Sequence, residues 1–257
     1  MNTAVLEFTS NKVLAGLVGQ EKPIPIFYRR DATNCSLESY PKDQLRIANV
    51  VKNIFNTLKS ASQVVLIESP FLNIHFKKIL VEILFSIYSV EVFYSINRHQ
   101  AALNMLNLKN GICIDIKEAS LLPIIDSFPM YSLLKSFDLN SGMDILELTL
   151  DSDCHLEEIV TSLLDCILEC PIDLRIRLLN VYIIGTKLDL DLERHEPPKK
   201  YDSILSLFRR LKVHFLEEES SWKGASQIGI EGKLCGYTKD SFLNGDSVPD
   251  WSEPQFE

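Results

Sequence analysis

No run of lysine or arginine in this 257-residue chain is longer than two, and 26 basic side chains stand against 35 acidic ones, for a formal net charge of −9. Binding to a phosphate backbone depends on clustered cations that release counterions, so nucleic acid is excluded as an expected partner. Long apolar runs are missing as well. The most apolar stretch, from Ile79 to Tyr94, is broken by Glu82 and Glu91 and falls short of the roughly 20 residues that cross a bilayer. No membrane partner is expected. Residues 1–7 have no cationic region ahead of an apolar core, which argues against a secretory signal and for a cytosolic or nuclear setting. The six cysteines never form a C-x-x-C pair, and no tetrahedral zinc spacing is found among them. They read as small core residues of a reducing compartment.

What is present is a soluble globular composition, 46% hydrophobic and 24% charged, long enough to bury its own core without disulfide or metal. Three short apolar runs, Ala4–Phe8, Val13–Val18 and Ile24–Tyr28, are separated by turn residues and predict an antiparallel meander. Leu45, Ala48, Val51, Phe55 and Leu58, widened by Ile47 and Ile54, recur with the period of a helix lying on a sheet. The continuous run Gln63–Glu68 predicts a strand buried on both faces. A helix over 74–88, a strand over 90–96 and a helix over 99–108 complete this half.

At Gly111 the pattern restarts. Superposing the halves lays Leu6-Glu7-Phe8 on Ile114-Asp115-Ile116, Val13-Leu14 on Leu121-Leu122, and Ile24–Phe27 on Ser132–Lys135. The second half is expected to hold strands at 112–116, 121–125 and 131–134 and helices at 143–150 and 156–170. A shorter helix starting at Pro171, a strand at 180–185, a helix at 204–211 and a strand at 212–216 follow. The expected fold is therefore α/β and duplicated, two lobes with mixed five-stranded sheets facing each other across a cleft. The lobes are expected at 1–110 and 111–257, with a C-terminal segment returning to the first.

That plan resembles the actin, sugar-kinase and Hsp70-type ATPase superfamily, whose fold is actin-like, or ribonuclease H-like. Particular segments narrow the resemblance. Val64-Val65-Leu66-Ile67-Glu68-Ser69-Pro70, followed by His75-Phe76-Lys77-Lys78, is similar to the actin strand and turn that lead into the helix before the interlobe connection. Glu169-Cys170-Pro171-Ile172-Asp173-Leu174-Arg175, the strand Asn180–Gly185 after it, and Val248-Pro249-Asp250-Trp251 resemble the actin-related proteins of the dynactin pointed end. Ser221-Trp222-Lys223-Gly224-Ala225 resembles the tryptophan-glycine turn near the actin C-terminus.

The resemblance implies a nucleotide site at Glu7, Asp115, Gly185 and Thr186, but in degenerate form. Phosphate-binding hairpins need glycine so that backbone N–H groups can close on the ligand. The hairpins here, Glu7–Lys12 and Asp115–Ser120, contain none. Glu118 and Ile116 are expected to intrude where polyphosphate would lie, and Gly185 stands where actin has two glycines. ATP with magnesium is therefore not an expected cofactor, and no catalytic residues or metal ligands are assigned.

Little sequence is left for the upper subdomains between Ile26 and Leu45 and between Leu150 and Leu156. A molecule without both would lack an elongation face. The resemblance thus implies a non-catalytic pointed-end cap of the dynactin filament, in the cytoplasm and on the cytoskeleton, at microtubules and the spindle pole. Its partners would be the centractin-like filament subunit, other dynactin subunits and, indirectly, dynein, in support of transport and of nuclear and spindle positioning. An ATPase or kinase of the same superfamily and an actin-related subunit of a chromatin-remodelling complex stand as alternatives. Trp222, preceded by Glu217-Glu218-Glu219, and Pro249, Asp250 and Trp251 are the candidate partner-binding residues. The five histidines share no spacing with serine, cysteine or aspartate that marks a nucleophilic relay.

Overall fold

A computed structural model describes residues 2–9, 12–27, 43–59, 61–137, 153–185, 198–231 and 236–249. Contacts divide the chain into a first unit, residues 1–101 and 221–257, and a second, residues 102–220. The chain leaves the first unit within one helix and returns within another, rather than parting at residue 110.

The first unit is built on β1 (Thr3–Phe8), β2 (Lys12–Leu17), β3 (Ile24–Phe27), α1 (Asp43–Leu58), β4 (Gln63–Glu68), α2 (Ile74–Ile87), β5 (Val92–Asn97) and the start of α3 (Arg98–Met105). Its sheet runs β12-β5-β4-β1-β2-β3. The meander is antiparallel, and β1, β4 and β5 are parallel with Glu7 opposite Ile67 and Leu66 opposite Ser95. The two-residue strand β12 (Tyr237–Thr238) joins β5 antiparallel from the C-terminal segment.

Alternation along the strands fills two cores, because successive side chains leave opposite faces of a sheet. Ala4, Leu6, Val13, Val64 and Leu66 pack with Ile47, Val51 and Ile54 of α1 and Leu80 and Leu84 of α2. On the other face Val5, Leu14, Val65, Ile67 and Ile96 pack with Trp222, Ala225 and Ile228 of α6 (Ser220–Glu231). The α1 stripe is buried as expected at Ile47, Val51, Ile54, Phe55 and Leu58 and is joined by Val50, while Leu45, 73% exposed, lies outside it. Helix α2 starts at Asn73, whose side chain accepts from the His75 N–H at 2.8 Å and satisfies one orphan donor of the first turn.

The second unit repeats the design with β6 (Gly111–Asp115), β7 (Ser120–Ile125), β8 (Phe128–Pro129), β9 (Lys135–Ser136), α4 (Asp153–Glu169), β10 (Asn180–Ile184), α5 (Leu205–Phe208) and β11 (Lys212–Leu216). The order β11-β10-β6-β7-β8 and the parallel pairing of β6, β10 and β11 match β5-β4-β1-β2-β3 of the first unit. Ile112, Ile114, Val181 and Ile183 face Ile159, Leu163 and Ile167 of α4, and Cys113, Leu122, Tyr182 and Ile184 face Ala102 and Leu103 of α3. The remaining element is α7 (Lys239–Leu243). Among the described residues each sheet has six strands where five are expected: β12 extends the first and β9 pairs with β7 in the second.

Several local expectations are corrected. Residues 131–134 are not a strand; Tyr131–Leu133 is a 3-10 turn between β8 and β9. Asp126 and Ser127, with φ of 52° and 70°, form a two-residue hairpin turn, and Pro129 then has no N–H with which to continue the ladder. The segment from Pro171 is a turn followed by the 3-10 helix Arg175–Leu178, and 204–211 holds one α turn after the 3-10 helix Lys199–Ile204. Ser221–Ala225 is not a turn but the start of α6. The helix expected over 143–150 lies outside the described residues, as do residues 28–42 and 151–152 of the two stretches where reduced upper subdomains are expected. Among the described residues no helix is long and apolar enough to cross a membrane.

Cys113, Cys166 and Cys170 are buried in the second unit and form no disulfide. Burial pushes the Cys166 thiol up to about 12, with Cys170 adding to the effect, and burial raises Cys113 and Cys170 also. Above the ordinary thiol value the unfolded chain sheds protons that the native chain keeps, so stability is lost as pH rises. Between about pH 9 and about pH 12 Cys166 is expected to contribute a fall on the order of 1 kcal/mol per pH unit. Urea denaturation across that range checks this: Cys166→Ala should show the shallower slope.

Candidate functional site

In each unit the first strand ends in an acid at the carboxyl edge of the parallel strands, where α/β sheets usually place their ligands. Glu7 sits between Leu14 and Ile67, and Asp115 between Ser120 and Ile184. Both are buried, Glu7 at 1% and Asp115 at 0% exposure. A carboxylate taken out of water must be paired or hydrogen-bonded, and the two acids meet this demand differently.

Glu7 forms an ion pair with Arg98, itself 3% exposed, through Oε1 and the guanidinium Nη1. The Ser221 hydroxyl donates to the same carboxylate, at 3.1 Å to Oε1 and 3.2 Å to Oε2. Arg98 is placed by the β5–α3 junction. There the Asn97 side chain accepts from the N–H groups of His99 at 2.9 Å and Gln100 at 3.4 Å, capping α3. Ser221 arrives on the first turn of α6. A second buried pair lies in the same unit: Lys77 of α2 meets Glu68 of β4 at 2.6 Å and donates to the Ser95 hydroxyl at 3.2 Å. The charges of the Glu68 and Lys77 motif are thus occupied inside the first unit.

Asp115 turns its carboxylate onto its own hairpin. Oδ1 accepts from the N–H groups of Lys117 at 3.0 Å and Glu118 at 3.2 Å, and the Ala119 N–H donates to the Ile116 carbonyl at 3.3 Å. Three successive donors are therefore engaged within the turn. Ala119 takes φ +46°, a left-handed conformation that glycine would adopt without strain. The Lys117 ammonium meets Glu218 at 2.6 Å. In the first unit the Thr9 N–H likewise donates to the Lys12 carbonyl at 2.9 Å.

Gly185 follows β10 beside the Asp115 end of the sheet. It has φ +98°, and its N–H donates to Leu216. Nothing lies within 4 Å of where a Cβ would stand, so the backbone conformation, not crowding, calls for glycine.

Each acid is engaged within its own unit. The first acid already holds a cation of its own, and in the second hairpin the Lys117 and Glu118 N–H groups point back at Asp115 while that of Ala119 points at the Ile116 carbonyl. Among the described residues there is also no cluster of three or more histidine, cysteine, aspartate or glutamate side chains that could hold a metal ion. One expected obstacle is corrected: Ile116 is 1% exposed and belongs to the core under β6, so it does not intrude on the turn. Asp115→Ala is expected to cost about 1–2 kcal/mol by freeing the turn donors, whereas Asp115→Asn keeps an Oδ1 acceptor and loses less. Thermal denaturation of the two variants checks the order.

The expected partner-binding residues fare unequally. Trp222 is 0% exposed, in the core between the first sheet and α6, and is no docking aromatic. Pro249 is half-buried, next to buried Val248. Thr186, Asp250 and Trp251 lie outside the described residues. Arg98 and Ser221 are functional-site residues that no sequence pattern pairs with Glu7, since they stand 91 and 214 positions away. No protein-family model matches the chain, and no curated protein resembles it significantly.

Proposed function

We propose that the chain is a non-catalytic actin-related subunit of dynactin, with an actin-like duplicated fold, that caps the pointed end of the actin-like filament. Fold alone does not assign activity. The reading is carried by one observation: the acids ending β1 and β6, which an actin-type ATPase would turn toward magnesium and phosphate, are committed to Arg98 and Ser221 in one unit and to the turn N–H groups in the other. The matching strand order of the two sheets supports the duplicated plan. The Cys170-Pro171-Ile172-Asp173 and Pro249-Asp250-Trp251 segments support the choice of dynactin over other actin-related assemblies.

Little sequence lies between Ile26 and Leu45 and between Leu150 and Leu156, which leaves little chain for an elongation face. Such a subunit joins a filament at one end and stops it, working in the cytoplasm with the centractin-like filament subunit and other dynactin subunits, and indirectly with dynein. It would support dynein-dependent transport and nuclear and spindle positioning. Affinity purification with mass spectrometry tests this. Recovery of the centractin-like subunit and the large coiled-coil dynactin subunit is expected. Recovery of a remodelling ATPase without dynactin chains would replace this reading with the chromatin one.

A further inference from the structure

The second unit carries an exposed patch that neither its core nor the acid-ended hairpins explain. Strand register brings three chain segments side by side at the amino edge of β6, β10 and β11, the end opposite Asp115. Gly111 faces Ile124 of β7, Val181 of β10 is paired with Ile112, and Asn180 with Lys212. The Ser127 N–H donates to the Lys109 carbonyl and the Lys212 N–H to the Leu179 carbonyl, both at 2.8 Å, tying the β7–β8 turn and the entries to β6, β10 and β11 into one rim. Neighbouring strands in such a rim stand about 5 Å apart.

That rim is cationic in a chain of net charge −9. Lys109, Arg177, Arg209, Arg210 and Lys212 are all exposed there. Of these, Arg177 is paired with Asp126 across the turn. Next to Arg177 stands Ile176, 53% exposed, with Ile172 one turn earlier at 81%, and Phe128 follows the same β7–β8 turn at 72%. The Arg175 side chain donates to the Leu168 and Cys170 carbonyls at the end of α4, which fixes the segment that presents Ile172 and Ile176. Large apolar side chains this exposed beside a mainly basic edge, where exposed Asp126 is paired with Arg177 and Asp173 is the other acid next to Ile172, mark an interaction surface.

We propose that this edge of the second unit docks an acidic protein segment, with apolar anchors seated on Phe128 and Ile176 and carboxylates met by Lys109, Arg210 and Lys212. The apolar anchors and the overall acidity of the chain favour a peptide over a nucleic acid, whose binding needs cations in greater number. The inference stands independently of the dynactin reading.

The test is fluorescence anisotropy of the full chain with a labelled synthetic peptide that alternates glutamate with leucine and phenylalanine. Saturable binding that weakens as salt rises is expected. It should fall about tenfold or more both in Lys109→Glu/Arg210→Glu/Lys212→Glu and in Phe128→Ser/Ile176→Ser. All five positions are exposed, and circular dichroism verifies that both variants fold. Absence of binding, binding unaffected by either variant, or equal affinity for a serine-for-apolar control peptide or for oligothymidylate would overturn the proposal. So would concentration-dependent self-association lost in the same variants, which would make a second copy the occupant.

Discussion

Replacing Arg98 with methionine is expected to lower stability by about 3–5 kcal/mol, because it removes the cation from a carboxylate only 1% exposed. The Ser221 hydroxyl would remain, but it supplies one donor and no charge. Glu7 lies between Leu14 and Ile67 in the middle of the first sheet, and its burial is imposed by strand pairing that methionine does not alter. Replacing both partners, as in Glu7→Leu/Arg98→Met, is expected to restore most of the loss, since apolar side chains of similar volume can stand in for a buried pair. Urea denaturation of the two variants measures this. A loss below about 1 kcal/mol for Arg98→Met would mean that water reaches Glu7 and that the pair is not what holds it.

The other large effect concerns Trp222. Trp222→Ala is expected to cost about 3–5 kcal/mol by opening a cavity between the first sheet and α6. The indole lies against β2 so closely that a Cβ on Gly16 would stand 2.8 Å from its Cζ2. Val5, Val65, Ile67 and Ile96 belong to the same cluster. Its Nε1 is buried without a hydrogen-bond partner. Trp222→Phe therefore forfeits volume but no hydrogen bond and is expected to lose roughly 1–2 kcal/mol. Circular dichroism during chemical denaturation gives both values. If Trp222 instead served a partner, Trp222→Ala would leave the isolated chain as stable as before.

Much of the fold is legible in the sequence because the strand signals are local. Leu6-Glu7-Phe8 and Ile114-Asp115-Ile116 fall at equivalent places in the two sheets, but β7 pairs two residues out of step with β2: Glu7 is opposite Leu14, whereas Asp115 is opposite Ser120 and not Leu122. The correspondence fails at the third strand, where the Asp126-Ser127 turn and Pro129 shorten the ladder and Tyr131–Leu133 coils. Pro171 suits a helix start, yet Arg175 reaches back to the end of α4 and the segment settles into a turn and a 3-10 helix.

The candidate site is legible only in part. Missing glycines in the two hairpins are visible in the sequence, and so is the position of each acid. Whether an acid faces ligand or protein depends on residues far away along the chain, and nothing local in Asn97-Arg98 announces that Arg98 will reach Glu7. Trp222 misleads for a related reason: the acidic residues before it suggest exposure, but α6 turns the indole onto the sheet.

We propose that both strand-ending acids are engaged by the protein itself instead of by magnesium and a triphosphate. The most direct test is the melting temperature of the purified chain with increasing magnesium-ATP. A ligand present at 100 times its dissociation constant would add about 2.7 kcal/mol, a shift of several degrees. No change up to millimolar nucleotide is the predicted result; a saturable rise that Asp115→Asn abolishes would contradict it.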